Sequence, residues 1–249
     1  SVTATEYYGT GAIGSKLFRE DAQCNLTAGC CAGIAITTGD TTLAVHNVLL
    51  GRQVGRRMIC GDNNFISGNN AFKFIHRGKC NIAIGLNVGT SFTQGATVNS
   101  NIFLGRYVAN CQTASTSSAI IIGNGAGKCG TANSSVVIGA SAGQGVLGQT
   151  HTNNIFLGQS AGMAISTGGS NIAIGQGAGK CLCKSGSNIF LGISAGKCEF
   201  RGSNNIALGA GALCGIDAGE MVAGKRDHNI ALGTNAGAGV SSGDTNVLI

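Results

Sequence analysis

A short pattern of polar, apolar and glycine positions recurs along most of the chain. Each copy runs Asn or Ser, three mostly apolar residues and Gly, then two free positions, Ala and often Gly. The copies at 171–175, 188–192 and 205–209 end in glycines that are 17 residues apart. A fixed period of this length is typical of stacked repeats, in which each repeat contacts only its neighbours. The pattern therefore predicts an all-β parallel β-solenoid with one such strand in each coil.

The repeat is better kept in the second part of the chain than at its start. Well-kept copies begin at Asn47, and the spacing between their glycines varies from 16 to 24 residues while the five-residue core stays constant. Before that point we find only degenerate copies, at 11–14 and 33–37. Because terminal repeats are usually atypical, we predict capping repeats over 1–46 and a β-solenoid domain over 47–249, with about 13 coils of about 17 residues.

Alternation along each strand assigns its three apolar positions to two faces. We expect the first and third, such as Ile172 and Ile174, to fill the coil, and the middle residue to point outward. That middle residue is apolar in all eleven copies: Leu49, Ile66, Ala83, Phe103, Ile121, Val137, Phe156, Ala173, Phe190, Ala207 and Ala231. Strands that are apolar on both faces are buried on both. We therefore predict that these residues form the interface of a closed, parallel homotrimer. The alternative is that the middle residue faces a second strand of the same chain.

Polar and small residues mark the corners of the predicted coil. The asparagine that opens a copy is expected at a turn, where its amide can bond the next coil and form a ladder. The asparagines concerned are Asn81, Asn101, Asn154, Asn171, Asn188, Asn205 and Asn229. The closing glycine permits positive φ or a close backbone approach. Because the sequence stops where the next glycine is due, we expect a further domain, or the start of another copy stacked end to end, to cover Ile249.

The pattern Asn-[Ile/Val]-Ala-[Ile/Leu]-Gly-x-x-Ala resembles the head repeat of trimeric autotransporter adhesins and similar repeats of phage and viral tail fibres. The resemblance covers roughly residues 47–249. It implies a left-handed parallel β-roll with three chains in a trimer that serves attachment. The coil is longer than is usual in that family, and the chain has 11 cysteines. No neck, stalk or membrane anchor follows the repeats, which favours a virion fibre; the expected location is a virion surface or the cell exterior.

Composition and charge limit the classes of partner that we expect the chain to bind. The chain has 43 glycines and no proline, and each interior glycine costs a helix roughly 1 kcal/mol relative to alanine. No apolar run reaches the about 18 residues of a membrane span, so no membrane insertion is expected. From Asn63 to Cys198 there is no Asp or Glu but there are eight Lys and Arg residues. This favours an anionic partner, although the charges could serve solubility alone. No basic cluster is interleaved with aromatic residues, so nucleic acid is not expected.

Four cysteines occupy equivalent positions, six residues after a repeat glycine: Cys111, Cys129, Cys181 and Cys198. Adjacent coils stack at about 4.8 Å, which lies within the Cα separation that a disulfide accepts. Disulfides between coils are therefore possible, and a ladder of free thiols packing as small apolar groups is the alternative. The Cys30–Cys31 and Cys181–Cys183 pairs lack the spacing and the histidines of a zinc site. We expect no metal and no cofactor.

No pattern in the chain favours an enzyme. The glycine motif at 9–14 is not followed by the βαβ unit that a dinucleotide site requires. Asp217 and Glu220, a carboxylate pair of the kind that glycosidases use, lie in the largest insertion, which we interpret as a solvated loop. We predict a rigid shaft or head of a fibre or adhesin whose loops contact a cell-surface glycan or protein receptor. The alternatives are a head-to-tail extracellular filament and a glycan-depolymerising tailspike.

Overall fold

The computed structural model describes residues 7–8, 16–35, 44–92, 96–112, 114–198, 202–215, 226–240 and 243–249. Over these residues the chain is an all-β parallel β-solenoid of about 11 turns with almost no helix. The predicted all-β parallel β-solenoid is confirmed, with fewer turns than expected, while its left-handedness and its homotrimeric assembly stay predictions. The chain divides into two compact units, residues 1–118 and 119–249.

The first unit contains two parallel sheets that lie on different sides of the coils. Its strands are β1 (Tyr7–Tyr8), β2 (Lys16–Glu20), β3 (Leu26–Ala28), β4 (Val48–Leu50), β5 (Phe65–Asn69), β6 (Arg77–Lys79), β7 (Ile82–Leu86), β8 (Thr97–Asn99), β9 (Ile102–Leu104) and β10 (Thr116–Ser117). Strands β1–β2 and β2–β3 pair antiparallel. The main sheet continues in parallel register through β3, β4, β5, β7 and β9. The shorter strands β6, β8 and β10 form the second sheet.

The second unit repeats this arrangement more regularly. Its strands are β11 (Ile120–Ile122), β12 (Thr131–Asn133), β13 (Val136–Ile138), β14 (Thr150–Thr152), β15 (Ile155–Leu157), β16 (Ile172–Ile174), β17 (Ile189–Leu191), β18 (Ile206–Leu208), β19 (Ile230–Leu232) and β20 (Val247–Leu248). The main sheet runs β11, β13, β15 and then β16 through β20, all parallel and in register. Strands β12 and β14 pair on another side of the coils.

The parallel stack begins inside the region that the sequence predicted to be a cap. Leu26 in β3 lies opposite Val48 in β4. The repeat copy there is 25–29, which keeps the asparagine and the glycine but carries Thr27 in the middle. The degenerate copy expected at 33–37 forms no strand over its described residues 33–35, and the copy at 11–14 lies outside the described residues.

The two faces of the main-sheet strands are reversed relative to the prediction. Each of the eleven predicted middle residues has no exposed surface within the single chain. Ile174, by contrast, is 38% exposed, and Ile172 is only partly buried. The predicted trimer-interface residues are therefore wrong, because each is already enclosed by its own coil and cannot contact a sister chain. The correction applies to Leu49, Ile66, Ala83, Phe103, Ile121, Val137, Phe156, Ala173, Phe190, Ala207 and Ala231.

The interior of each coil is filled jointly by the middle residue and by residues from the other sides. In the coil of β16 the middle residue is small, and Gly179 lies against both Ala173 and the fully buried Leu182. In the first unit the buried Phe72 ring lies edge-on to Phe92 and Phe103, with centroid separations of 6.1 and 5.9 Å. This sharing of volume keeps the interior close-packed although the middle residue varies between Ala and Phe.

Candidate interaction surfaces

The first and third residues of the main-sheet strands form an apolar surface on the outside of each unit, which we call the outer ribbon. In the second unit it consists of Ile120, Ile122, Val136, Ile138, Ile155, Leu157, Ile172, Ile174, Ile189, Leu191, Ile206, Leu208, Ile230 and Leu232. In the first unit it consists of Leu26, Ala28, Val48, Leu50, Phe65, Ser67, Ile82, Ile84, Ile102 and Leu104. Neither ribbon contains a charged residue.

The ribbon of the second unit is large and regular. Two Ile, Leu or Val side chains stand on each of seven consecutive strands, and strands in a sheet are about 4.8 Å apart. In most pairs one side chain is more than a third exposed, as at Ile155 and Leu191. The ribbon therefore exposes on the order of several hundred Å² of apolar surface, at the upper end of what soluble monomers carry. Patches of this size mark interaction sites.

Buried asparagines form a hydrogen-bonded ladder inside each unit. Asn171 donates from Nδ2 to Oδ1 of Asn154 at 3.1 Å and to the Ser185 carbonyl at 2.9 Å. Its own Oδ1 accepts both the backbone N–H and the Nδ2 of Asn188, each at 3.1 Å. The asparagines in this arrangement are Asn25, Asn47, Asn64, Asn81 and Asn101 in the first unit, and Asn154, Asn171, Asn188, Asn205, Asn229 and Asn246 in the second. All seven expected ladder residues lie here.

The ladder of the second unit is modified at its start, where Ala119 and then Ser135 stand in the place of asparagine. Ser135 Oγ accepts the backbone N–H of Asn154 at 3.1 Å but cannot reach its side chain. The Asn154 amide instead meets Nδ1 of His151 at 3.3 Å. His151 is almost completely buried. Burial lowers the pKa of His151 to about 4, and a backbone contact with Gly143 opposes this shift. The imidazole is therefore neutral near pH 7 and accepts the amide hydrogen at Nδ1.

Two cations, Arg57 and Lys73, lie against the ring of Phe74 in the first unit. Together with Arg52 and Arg56, which belong to the same coil as Arg57, we call these residues the basic cluster. The Arg57 backbone N–H donates to the Lys73 carbonyl at 3.2 Å, so these residues come from adjacent coils. The Arg57 guanidinium and the Lys73 ammonium each lie 5.1 Å from the Phe74 ring centroid. No described carboxylate forms an ion pair with the cluster; Asp62 pairs with Lys79 instead, at 2.7 Å. Sequence reasoning missed this cluster because stacking, not proximity in the chain, assembles it.

The cysteines at the predicted stapling positions form no disulfide. None of the eleven cysteines is in a disulfide. Cys181 and Cys198 occupy consecutive coils, where the Cys198 backbone N–H donates to the Lys180 carbonyl at 2.8 Å. Cys111 and Cys129 belong to different units. Within the described ranges, no group of three or more His, Cys, Asp or Glu side chains could hold a metal ion.

The carboxylates of the tailspike alternative, Asp217 and Glu220, lie outside the described residues. In the part of the chain that the structure describes, no helix has the length and apolar character that crossing a membrane requires. Comparisons with protein-family models, with curated proteins and with solved structures each find no match. The resemblance to adhesin heads and tail fibres therefore rests on the repeat pattern alone.

Proposed function

We propose that this chain is a non-enzymatic structural segment of a fibre or adhesin, a left-handed parallel β-solenoid that assembles as a parallel homotrimer on a virion or cell surface. The observation that carries the proposal is the outer ribbon, where paired Ile, Leu and Val side chains stand on consecutive strands without a single charge. Each Å² of apolar surface left in water costs roughly 25 cal/mol. Covering the ribbon is therefore strongly favourable.

A second and a third copy of the chain match this surface best. Parallel stacks of the same sequence share one coil spacing, so the side chains of one ribbon can lie between those of another along its length. Around a threefold axis each chain has two neighbours, and a ribbon that is two residues wide supplies one row to each neighbour. A closed arrangement of this kind buries every ribbon equally. The interface therefore lies one residue away from the middle positions that the sequence had predicted.

The oligomeric state in solution tests this proposal. Native mass spectrometry or sedimentation velocity should give three times the chain mass of 24.8 kDa. The substitution Ile174→Asp places a charge in the ribbon and should shift the protein toward single chains. The matched control is Gln176→Asp, which adds the same charge at an exposed position of the same coil and should leave the trimer intact. A monomeric wild-type chain contradicts the proposal, and a dimer contradicts its threefold part.

We further propose that the basic cluster contacts an anionic cell-surface glycan. Arginine guanidinium groups bind sulfate and carboxylate groups in a bidentate manner, and Arg52, Arg56 and Arg57 are at least partly exposed. The ring of Phe74 offers an apolar surface beside them. Because no described carboxylate neutralises the cluster, its positive potential is available to a polyanion.

Binding to dextran sulfate, with unsulfated dextran as the reference, tests this assignment. The double substitution Arg56→Gln and Arg57→Gln should weaken binding at least about tenfold and flatten its dependence on salt. The control, Lys180→Gln with Lys184→Gln, removes the same charge from the second unit and should change binding little. Equal losses in the two variants would show attraction to net charge alone and would contradict a site at the basic cluster.

A further inference from the structure

We propose that Cys30 and Cys31 form a redox-active dithiol that closes to a disulfide between adjacent residues by exchange with a small-molecule disulfide. The two sulfur atoms lie 3.4 Å apart. Adjacent side chains of an extended strand point to opposite faces, so this contact requires a turn. The Ala32 backbone N–H donates to the Gly29 carbonyl at 3.3 Å, and Cys31 has a φ of 64°. The turn from Gly29 to Ala32 thus brings both thiols to one side.

The pair is accessible to a reagent in solution. Cys30 is exposed and Cys31 is partly exposed, whereas Cys198 is buried. Cys181 and Cys183 provide an internal comparison, since one residue separates them and the Cys183 thiol is directed at the Ala164 carbonyl, 3.7 Å away.

Two groups of neighbours act on the Cys30 thiol in opposite directions. The hydrogen bond with Cys31 raises the pKa of Cys30, and the charges of Arg52 and Arg56 act in the opposite direction. When the pair loses a proton, the positive charges of Arg52 and Arg56 are close enough to act on the resulting thiolate. A thiolate beside cations is the reactive form in disulfide exchange. The same arginines attract an anionic oxidant such as oxidised glutathione.

The exchange takes place in two balanced steps. The thiolate of one cysteine attacks a sulfur of oxidised glutathione, forms a mixed disulfide and releases one glutathione thiolate. The neighbouring cysteine then loses its proton and attacks the sulfur of the first, which expels the second glutathione. Overall the two cysteines lose two protons and two electrons, and one oxidised glutathione becomes two reduced molecules. The sulfur atoms need to approach only from contact to bonding distance.

The test uses the full chain, equilibrated with glutathione at several oxidation ratios, alkylated with N-ethylmaleimide and mapped by tandem mass spectrometry. The peptide that contains residues 20–52 should lose the mass of two hydrogen atoms, and its fragments should place the bond between Cys30 and Cys31. Cys181 and Cys183 in the same sample should remain alkylated. In the Cys24→Ser variant the bond should form as in the wild type, because Cys24 takes no part.

The Cys30→Ser variant distinguishes the pair from a single reactive thiol. In this variant the exchange should end at a mixed disulfide between Cys31 and glutathione. The wild type should bind one equivalent of phenylarsine oxide at this turn, because that reagent bonds to two thiols and releases water. The Cys30→Ser variant should lose this binding. Alkylation of both cysteines at every oxidation ratio would overturn the proposal. A bond from either cysteine to Cys24 or to another chain would overturn it as well.

Discussion

The two faces of the main-sheet strands in the second unit follow different rules of side-chain size. On the inner face side-chain size varies from strand to strand, and Phe190 lies between Ala173 and Ala207 of the adjacent strands. On the outer ribbon every position is Ile, Leu or Val. Inside, the other sides of the same coil compensate for each change in volume. Outside, the chain provides no such compensation, and uniform residues keep the surface even. The inner face therefore serves the coil, whereas an even outer face is what the proposed trimer requires.

The glycine that closes each copy lies where consecutive strands are held in register. We expect its replacement to disturb both the inner face and the outer ribbon and to have the largest effect on stability. Gly175 has a φ of 132°, and a Cβ there would lie 2.5 Å from the carbonyl oxygen of Gly192. This region of backbone space is essentially restricted to glycine. We expect Gly175→Ala to lower the free energy of unfolding by more than about 4 kcal/mol, measured by urea denaturation. Gly148→Ala, where a Cβ would meet nothing within 4 Å, should cost about 1 kcal/mol. Similar losses of unfolding free energy in the two variants would contradict the interpretation that Gly175 is needed for the close approach of adjacent strands.

Truncation of neighbouring residues on the two faces compares them directly. Phe190→Ala removes a fully buried ring and should cost about 3–5 kcal/mol of unfolding free energy at any protein concentration. Leu191→Ala, on the outer ribbon, should cost about 1 kcal/mol or less within the chain, and its effect should grow as the wild type assembles. Urea midpoints measured over a range of protein concentrations separate the two effects. A large, concentration-independent loss for Leu191→Ala would show that the outer ribbon is part of the coil core.

The repeat pattern was sufficient to predict the stack of parallel strands, the corner asparagines and the pairing of first and third positions on one face. It did not show which face is inside, because both faces are apolar. A signal was nevertheless present in the sequence. Asn171 stands two residues before Ala173, so the two share a face, and an asparagine ladder that bonds coil to coil must lie inside. The ladder and the outward middle residue were therefore incompatible predictions.

Other features depend on the packing of coils and could not be predicted. The copy at 25–29 was missed because Thr27 breaks the apolar pattern, although its side chain is buried in the structure. The basic cluster combines arginines of one coil with Lys73 and Phe74 of the next. His151 meets Asn154 only because Ser135 leaves the amide without its usual acceptor. No local sequence pattern encodes these neighbours.

The pH dependence of stability tests whether the buried imidazole of His151 is shielded from water. Because burial depresses the pKa of His151 from 6.5 to about 4, the unfolded chain takes up a proton first as the pH falls. Stability is therefore full above about pH 6.5 and declines between 6.5 and 4, by about 3 kcal/mol in total. Urea denaturation over this range should show a smaller decline for His151→Gln than for wild type. His228→Gln, at an exposed position, should behave as wild type. Identical slopes in all three proteins would show that His151 is hydrated.

We expect the smallest loss of stability from a substitution in the asparagine ladder, which forms the polar edge of the inner face. Asn171→Ser copies the natural substitution at Ser135. The serine hydroxyl can still accept the backbone N–H of Asn188, as Ser135 does for Asn154, but it cannot accept the Asn188 amide or donate to the Ser185 carbonyl. No histidine stands in the position that His151 occupies in the earlier coil. We expect a loss of about 1–2 kcal/mol in unfolding free energy from the buried groups that lose a partner.

An exposed asparagine separates the ladder from a general effect of the substitution. Asn124→Ser changes a solvent-exposed side chain and should alter the unfolding free energy by no more than about 0.5 kcal/mol. If Asn171→Ser costs as little, the inner face is held by apolar packing alone and the ladder only follows the register that the glycines impose. If it costs more, the ladder fixes the register from the inside. The middle residues can then vary between Ala and Phe without a shift between coils, and the outer ribbon stays even because the inner edge holds each strand in place.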